Sequence, residues 1–241
     1  GSPLFDVDDV QRVAGTQTAG LTVHRGILHG SVRVGDVLRA EVDAERRAHT
    51  MRNHTGTHLL HRALRNVVGE RARQAGSLVT PDYLRFDFPF DRGLTDDEKL
   101  AIEREVRRVV REDREVGVEW MTMAEAQGAG ADAFFDEKYG ERVRTVRVAG
   151  FSHELCGGTH CRASGQIGSF IITGERSIGS GMRRIEAVTG AVADRLMEER
   201  FALIERTVAV VGARGPESVE DRITALQEEL RDTKRRLKSG A

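Results

Sequence analysis

The chain has 241 residues, 39% of them hydrophobic and 31% charged, with 37 Lys+Arg against 38 Asp+Glu. A chain of this length can bury one substantial core plus a smaller lobe, and a net charge of -1 excludes a uniformly basic nucleic-acid binder while leaving room for a local basic patch. No apolar run approaches the ~18 residues a membrane span needs, no basic-then-apolar leader opens the chain, and two cysteines fit a reducing compartment, the cytoplasm, rather than a disulfide framework.

Gly1-Ser2-Pro3 reads as a cut point. From Phe5 to Val42 short β-prone pieces alternate with glycines: Leu21 to Ile27, Ser31 to Val34, and Val37 to Val42 after the Gly35-Asp36 turn. Hairpins this short predict a small or partial β-barrel over residues 1–42. Asp43 to Thr50 reads as a charged connector into a helix from Met51 to Val68, stopped at Gly69. Arg46, Arg47 and Arg52 in this region could hold a phosphate backbone, because guanidinium groups match phosphate oxygens two-pronged.

Ser77 to Thr80 and the strictly alternating Leu84-Arg85-Phe86-Asp87-Phe88 predict two strands. Thr95 with Glu98 forms a capping box for a helix over Asp96 to Val116, whose Ile102, Val106, Val109 and Val110 make an apolar face. Thr122 with Glu125 caps a shorter helix that ends before Gly128 to Gly130, and the Phe134-Phe135 pair suits a loop anchored in a core. Val143 to Val148, Gly168 to Thr173 and Met182 to Val188 read as strands, and Thr189 as the cap of a helix from Gly190 to Val208. Beyond Gly215-Pro216, Ile223, Leu226, Leu230, Thr233 and Leu237 are spaced 3, 4, 3 and 4, a heptad-like seam. The fold class is therefore α+β: an antiparallel sheet with packed helices over residues 43–210, preceded by the partial barrel and followed by a helical linker over 211–241.

Two pairs of residues carry the chemistry. His54 and His58 lie one helical turn apart and point the same way, as two ligands of one metal ion must. Cys156 and His160 have the same spacing, with Gly157 and Gly158 arguing for a tight turn instead of a helix. Together they offer three imidazoles and one thiolate, a set that Zn2+ prefers. The Glu that follows the first His in the H-E-x-x-H of zinc proteases is missing, so this is not that class of hydrolase. His61 could replace one of the four ligands, or be a boundary histidine beside the buried stripe of Leu60, Leu64 and Val67.

Four blocks, in order, carry a resemblance to a family. They are Asn53-His54-Thr55-Gly56-Thr57-His58-Leu59-Leu60-His61-Arg62-Ala63-Leu64; Gln74-Ala75-Gly76-Ser77-Leu78-Val79 with Leu84-Arg85-Phe86-Asp87-Phe88; Cys156-Gly157-Gly158-Thr159-His160; and Arg183-Arg184-Ile185-Glu186-Ala187-Val188-Thr189-Gly190. The chain resembles the editing region of bacterial alanyl-tRNA synthetase, a superfamily shared with free-standing editing proteins. The resemblance implies His54, His58, Cys156 and His160 as zinc ligands and hydrolysis of serine or glycine wrongly esterified to tRNA(Ala). Where the family more often has Ala and a hydrophobic residue, this chain has Gly56 and Cys161.

Serine is larger than alanine and cannot be selected by size, so a site that hydrogen-bonds its hydroxyl is required. Thr55, Thr57 and Gln74 are the candidates by motif position, and Arg46, Arg47, Arg52, Arg183 and Arg184 the candidates for holding RNA. The expected partners are mischarged tRNA(Ala) and the remainder of the synthetase, with no membrane. With no ATP-binding domain ahead of the barrel, the chain is expected to be a fragment that edits without charging tRNA. The alternatives are a free-standing trans-editing deacylase and a non-enzymatic zinc-stabilised tRNA-binding module.

Overall fold

In a computed structural model, residues 4–12, 21–132 and 141–240 are described. Gly1-Ser2-Pro3 and the Phe134-Phe135 pair lie outside them. The chain divides into two compact units, one ending at Val42 and one starting at Asp43.

The first unit holds β1 (Phe5–Arg12) and β2 (Thr22–Leu28), paired antiparallel with Phe5 opposite Leu28 and Arg12 opposite Thr22. This is a two-stranded ribbon, and no closed or partial barrel is formed among the described residues, contrary to the sequence reading. Ser31 to Val34 and Val37 to Val42 form no strand, and Val34 and Val37 are fully exposed. Their β-branched side chains carry propensity but have no partner strand to complete a ladder or cover a face.

The second unit is organised by α1 (Ala44–Val68). It starts seven residues before Met51, because Asp43 accepts the Arg46 N–H at 2.9 Å as an N-cap and the charged Ala44-Glu45-Arg46-Arg47 stretch is a good helix former, not a connector. Leu59, Leu60, Ala63 and Leu64 are fully buried along its inner face. They pack on β4 (Leu84–Pro89), which pairs with β3 (Gly76–Val79), and on the amphipathic α2 (Asp96–Arg111) with its buried Ile102, Val106 and Val109. The Thr95–Glu98 capping box is present in full.

Helix α2 ends five residues before the sequence reading placed it. Asp113 takes φ 46°, a left-handed conformation that breaks the helix, and its carboxylate accepts the Gly165 N–H at 2.8 Å. Val116 therefore opens a strand, β5 (Val116–Thr122), which the helix assignment had hidden. It leads through the Thr122–Glu125 capping box into α3 (Met123–Gly128). Strand β6 (Arg142–Val148) pairs with β5 on one side and with β7 (Ser152–Leu155) on the other.

Strands β8 (Phe170–Gly179) and β9 (Met182–Thr189) form a hairpin that completes the four-stranded order β3-β4-β9-β8. The expected single sheet is thus two antiparallel sheets, of four and three strands, with α1 packed against β4 of one and β7 of the other. Helix α4 (Gly190–Val211) follows β9 directly, and α5 (Val219–Ser239) packs back on it; Ile223, Leu230 and Leu237 of the heptad-like seam are exposed.

Thr189 does not cap α4 through its side chain. Its hydroxyl donates to Asn53 Oδ1 at 2.7 Å, and Asn53 Nδ2 donates to the carbonyls of Thr80 and Pro81 at 2.8 and 3.1 Å. The buried Asn53 amide thereby ties α1 to the β3–β4 turn and to the β9–α4 junction. Asn53→Ala should cost about 1–3 kcal/mol, because it leaves the buried Thr189 hydroxyl without its acceptor and two half-buried carbonyls without their donor. Thermal or urea unfolding of the variant checks this, and a change within error would mean that the amide is not a structural pin.

Candidate metal centre

His54 and His58 project from α1, and Cys156 and His160 from the loop after β7. One ligand atom from each lies within 4.8 Å of all the others. Cys156 Sγ is 3.4 Å from His54 Nε2 and 3.2 Å from His160 Nε2, and the His54 and His160 rings are 4.1 Å apart between centroids. The turn admits this only because residue 158 is glycine, since a Cβ there would sit 2.1 Å from His54 Cε1. Gly56 is tighter than a helix requires for a different reason: a Cβ would meet Thr189 Cγ2 at 3.2 Å and Leu84 Cδ2 at 3.3 Å.

Behind the four donors stands a layer that orients them. The buried Glu154 carboxylate is hydrogen-bonded to His58 Nδ1 through Oε2 and to His61 Nδ1, at 3.0 Å, through Oε1. With Nδ1 held, His58 turns Nε2 toward the other donors, and this buried atom finds no hydrogen-bond partner among the described residues. Thr55 Oγ1 lies 3.2 Å from His160 Nδ1 and also accepts the Cys161 N–H at 3.1 Å, which fixes the second imidazole in the same sense. An orphaned buried nitrogen facing a thiol and two imidazoles is the environment a metal ion completes, so the set could hold one.

The electrostatics match the donor set. Burial opposes ionisation of Cys156, but hydrogen bonds from His160 and His54 and the nearby His58 outweigh it and hold the thiol down to about 3, which favours the thiolate that a metal binds. Burial likewise opposes charge on Glu154, and the His58 and His61 imidazoles override it, giving about 2. For His58, burial is overcome by Glu154 and Cys156, and its value rises to about 10. His160 is pushed down to about 4 by burial and by the neighbouring His58 and His54.

The remaining sequence candidates sort by position. Thr57 donates to the Asn53 carbonyl of its own helix at 2.9 Å. Gln74 is half-buried at the entry to β3 and hydrogen-bonds to none of the described residues. Arg46 and Arg47 are exposed on the first turns of α1, and Arg52 Nε donates to the Gln166 carbonyl at 3.1 Å. Arg183 and Arg184 are committed to carboxylates: Arg183 to Glu175 at 2.5 and 2.9 Å, and Arg184 to Asp87 with both bonds at 2.7 Å. Glu154 escaped the sequence reading. Its signal was the period-2 pattern of a strand, which puts Glu154 and Cys156 on one face.

A donor cluster held between a helix and a three-stranded antiparallel sheet defines an α+β domain with a candidate metal centre. Residues 143–186, which include Glu154, Cys156 and His160, match the family described as the threonyl and alanyl tRNA synthetase second additional domain. Nearly the whole chain aligns with alanine-tRNA ligases: 42% identity over 234 residues with that of Idiomarina loihiensis, 47% over 222 residues with Thermotoga maritima and 45% over 244 residues with Xanthomonas campestris. These alignments cover 97%, 92% and 98% of this chain but 26%, 26% and 27% of the relatives, so the chain spans about a quarter of their length. The chain is thus related, over nearly its whole length, to a segment of alanine-tRNA ligases.

Glu154→Gln removes the charge that orients His58 while keeping the shape of the side chain. Metal affinity should fall roughly 10- to 100-fold, as read by competition with a chromophoric chelator. Unchanged affinity would show that the carboxylate serves the fold and not the donor set.

Proposed function

We propose that the chain is a hydrolytic editing domain that removes serine or glycine wrongly esterified to tRNA(Ala), with one Zn2+ held by His54, His58, Cys156 and His160. The observation that carries this reading is the buried three-histidine, one-cysteine cluster with its own orienting layer, on a chain related to alanyl-tRNA synthetase editing regions. Mixed imidazole and thiolate donors in a tetrahedral set suit zinc. When bound, zinc would supply a local positive charge that polarises or positions the ester and its attacking water.

The chain's own groups then have separable tasks. Glu154 and Thr55 hold the His58 and His160 rings so that Nε2 of each faces the centre. Cys156 is committed as a thiolate, which argues against a covalent acyl-enzyme step, since a metal-bound sulfur has its charge engaged. Selection of serine over alanine falls to groups that hydrogen-bond its hydroxyl, because an alanyl methyl leaves such groups unpaired. Among the described residues, Gln74 alone of the three candidates has its polar atoms uncommitted; Thr55 and Thr57 keep part of their capacity. Arg46, Arg47 and Arg52, none of them paired with a carboxylate among the described residues, are better placed to meet phosphates than Arg183 and Arg184.

The proposed setting is the cytoplasm, with tRNA(Ala) as substrate carrier and the remainder of an alanyl-tRNA synthetase as the natural partner. No helix among the described residues is long and apolar enough to cross a membrane.

Two charged tRNAs test the reading side by side. Seryl-tRNA(Ala) should be hydrolysed by the zinc-loaded chain while alanyl-tRNA(Ala) persists, and Cys156→Ala should abolish the activity and lower the melting temperature, since a metal joining α1 to the post-β7 loop contributes folding energy. Gln74→Ala should erode the discrimination more than the rate on serine. Equal hydrolysis of both esters would place the hydroxyl reader elsewhere, and full activity of the Cys156 variant would remove the metal from the reaction.

A further inference from the structure

The face of the three-stranded sheet that carries the metal-site cysteine is open at its β5 edge. Trp120 on β5 is directly opposite Arg144 on β6, and the Arg144 carbonyl accepts the Cys156 N–H at 3.0 Å just past the end of β7. Directly opposed residues of an antiparallel sheet share a face, so Trp120, Arg144 and Cys156 form one row. Two strand spacings place the Trp120 backbone about 10 Å from that of the metal-site cysteine, a distance that a ribose and its neighbouring base can bridge. The next row, Val118–Val146–Glu154, carries the carboxylate behind His58.

This face is covered over β6 and β7 and open over β5. Val146 is buried, whereas Trp120 is 60% exposed and Val118 45%. An exposed indole on an edge strand would ordinarily be a liability. It is flanked by two cations: Arg142 donates to the Trp120 carbonyl at 3.0 Å and Arg144 to the Cys156 carbonyl at 2.5 Å. Neither has a carboxylate within ion-pairing distance among the described residues, unlike Arg183 and Arg184. An aromatic plane bordered by guanidinium groups that have no carboxylate partner among the described residues fits the pattern that holds single-stranded nucleic acid, the ring under a base and the cations against phosphates.

We propose that Trp120, with Arg142 and Arg144, is the platform on which a base of the single-stranded 3′ end of tRNA stacks while the ester at that end lies at the metal centre. This rests on the hydrolytic reading above, and it assigns to the β5–β6 edge a positioning role that no motif in the chain announced.

Trp120 is the only tryptophan, so its fluorescence reports the platform directly. An uncharged acceptor-stem hairpin with a four-nucleotide 3′ tail should quench it, and the same hairpin with a blunt end should not. Trp120→Ala should raise KM for seryl-tRNA(Ala) roughly 10- to 100-fold, the cost of one lost stack, with kcat little changed, and Trp120→Phe should recover most of the loss. An unchanged KM in an active Trp120→Ala protein, or equal quenching by the blunt hairpin, overturns the platform. A wild-type chain that hydrolyses neither charged tRNA overturns the hydrolytic reading instead, and the tail-dependent quench then still decides the platform.

Discussion

The buried Glu154 carboxylate, shared between His58 and His61, is the interaction on which the rest of the site depends. A carboxylate at this depth costs several kcal/mol unless positive charge and hydrogen bonds surround it. Both imidazoles come from α1, so the demand is met only if the helix and β7 are held together. The Cys156 thiolate, on the same strand face, adds a second negative charge within the same pocket. A divalent cation among His54, His58, Cys156 and His160 would balance the two anions, and a proton on His58 is the lesser substitute that keeps the pocket from carrying both charges uncompensated. Fold and chemistry thus share one electrostatic requirement.

Much of this was legible in the sequence where local chemistry decides structure. The His54–His58 and Cys156–His160 spacings, the two capping boxes, and the apolar periodicity of α2 each follow from contacts within a turn or two. What was not legible depended on partners far along the chain. The valines between Ser31 and Val42 have strand propensity and nothing to pair with, so no barrel forms. The end of α2 is set by Asp113, whose left-handed conformation is supported by a bond to Gly165 on a distant loop. Thr189 is taken from its capping role by Asn53, a residue of another helix.

The arginines show the same limit more sharply. Sequence alone gives a near-even balance of charges, and Arg183 and Arg184 attract attention because they sit in a recognisable block. Register decides otherwise: Arg184 lies directly opposite Asp87 across the β4–β9 pair, and Arg183 reaches Glu175 on β8, so both are spent on holding the four-stranded sheet. Arg142 and Arg144 are unremarkable in sequence. Their importance comes from pairing with β5, a strand that was itself invisible while the preceding helix was read through Val116.

Under the proposed function, selectivity can be narrowed by counting what each hydroxyl has left. A threonine hydroxyl offers one donor and two acceptor positions. Thr55 Oγ1 faces His160 Nδ1 and the Cys161 N–H; if the histidine proton sits on Nδ1, as coordination through Nε2 requires, both acceptor positions are filled and only the donor remains. Thr57 is the complement: its proton goes to the Asn53 carbonyl, and its acceptor capacity is open. The two threonines are two residues apart on α1, so their hydroxyls lie on different sides of the helix and do not form one pocket. Gln74 has donor and acceptor both uncommitted among the described residues. A metal on Nε2 of His160 would thus reach the Thr55 hydroxyl as well, because the tautomer it imposes on His160 determines which half of that hydroxyl stays uncommitted.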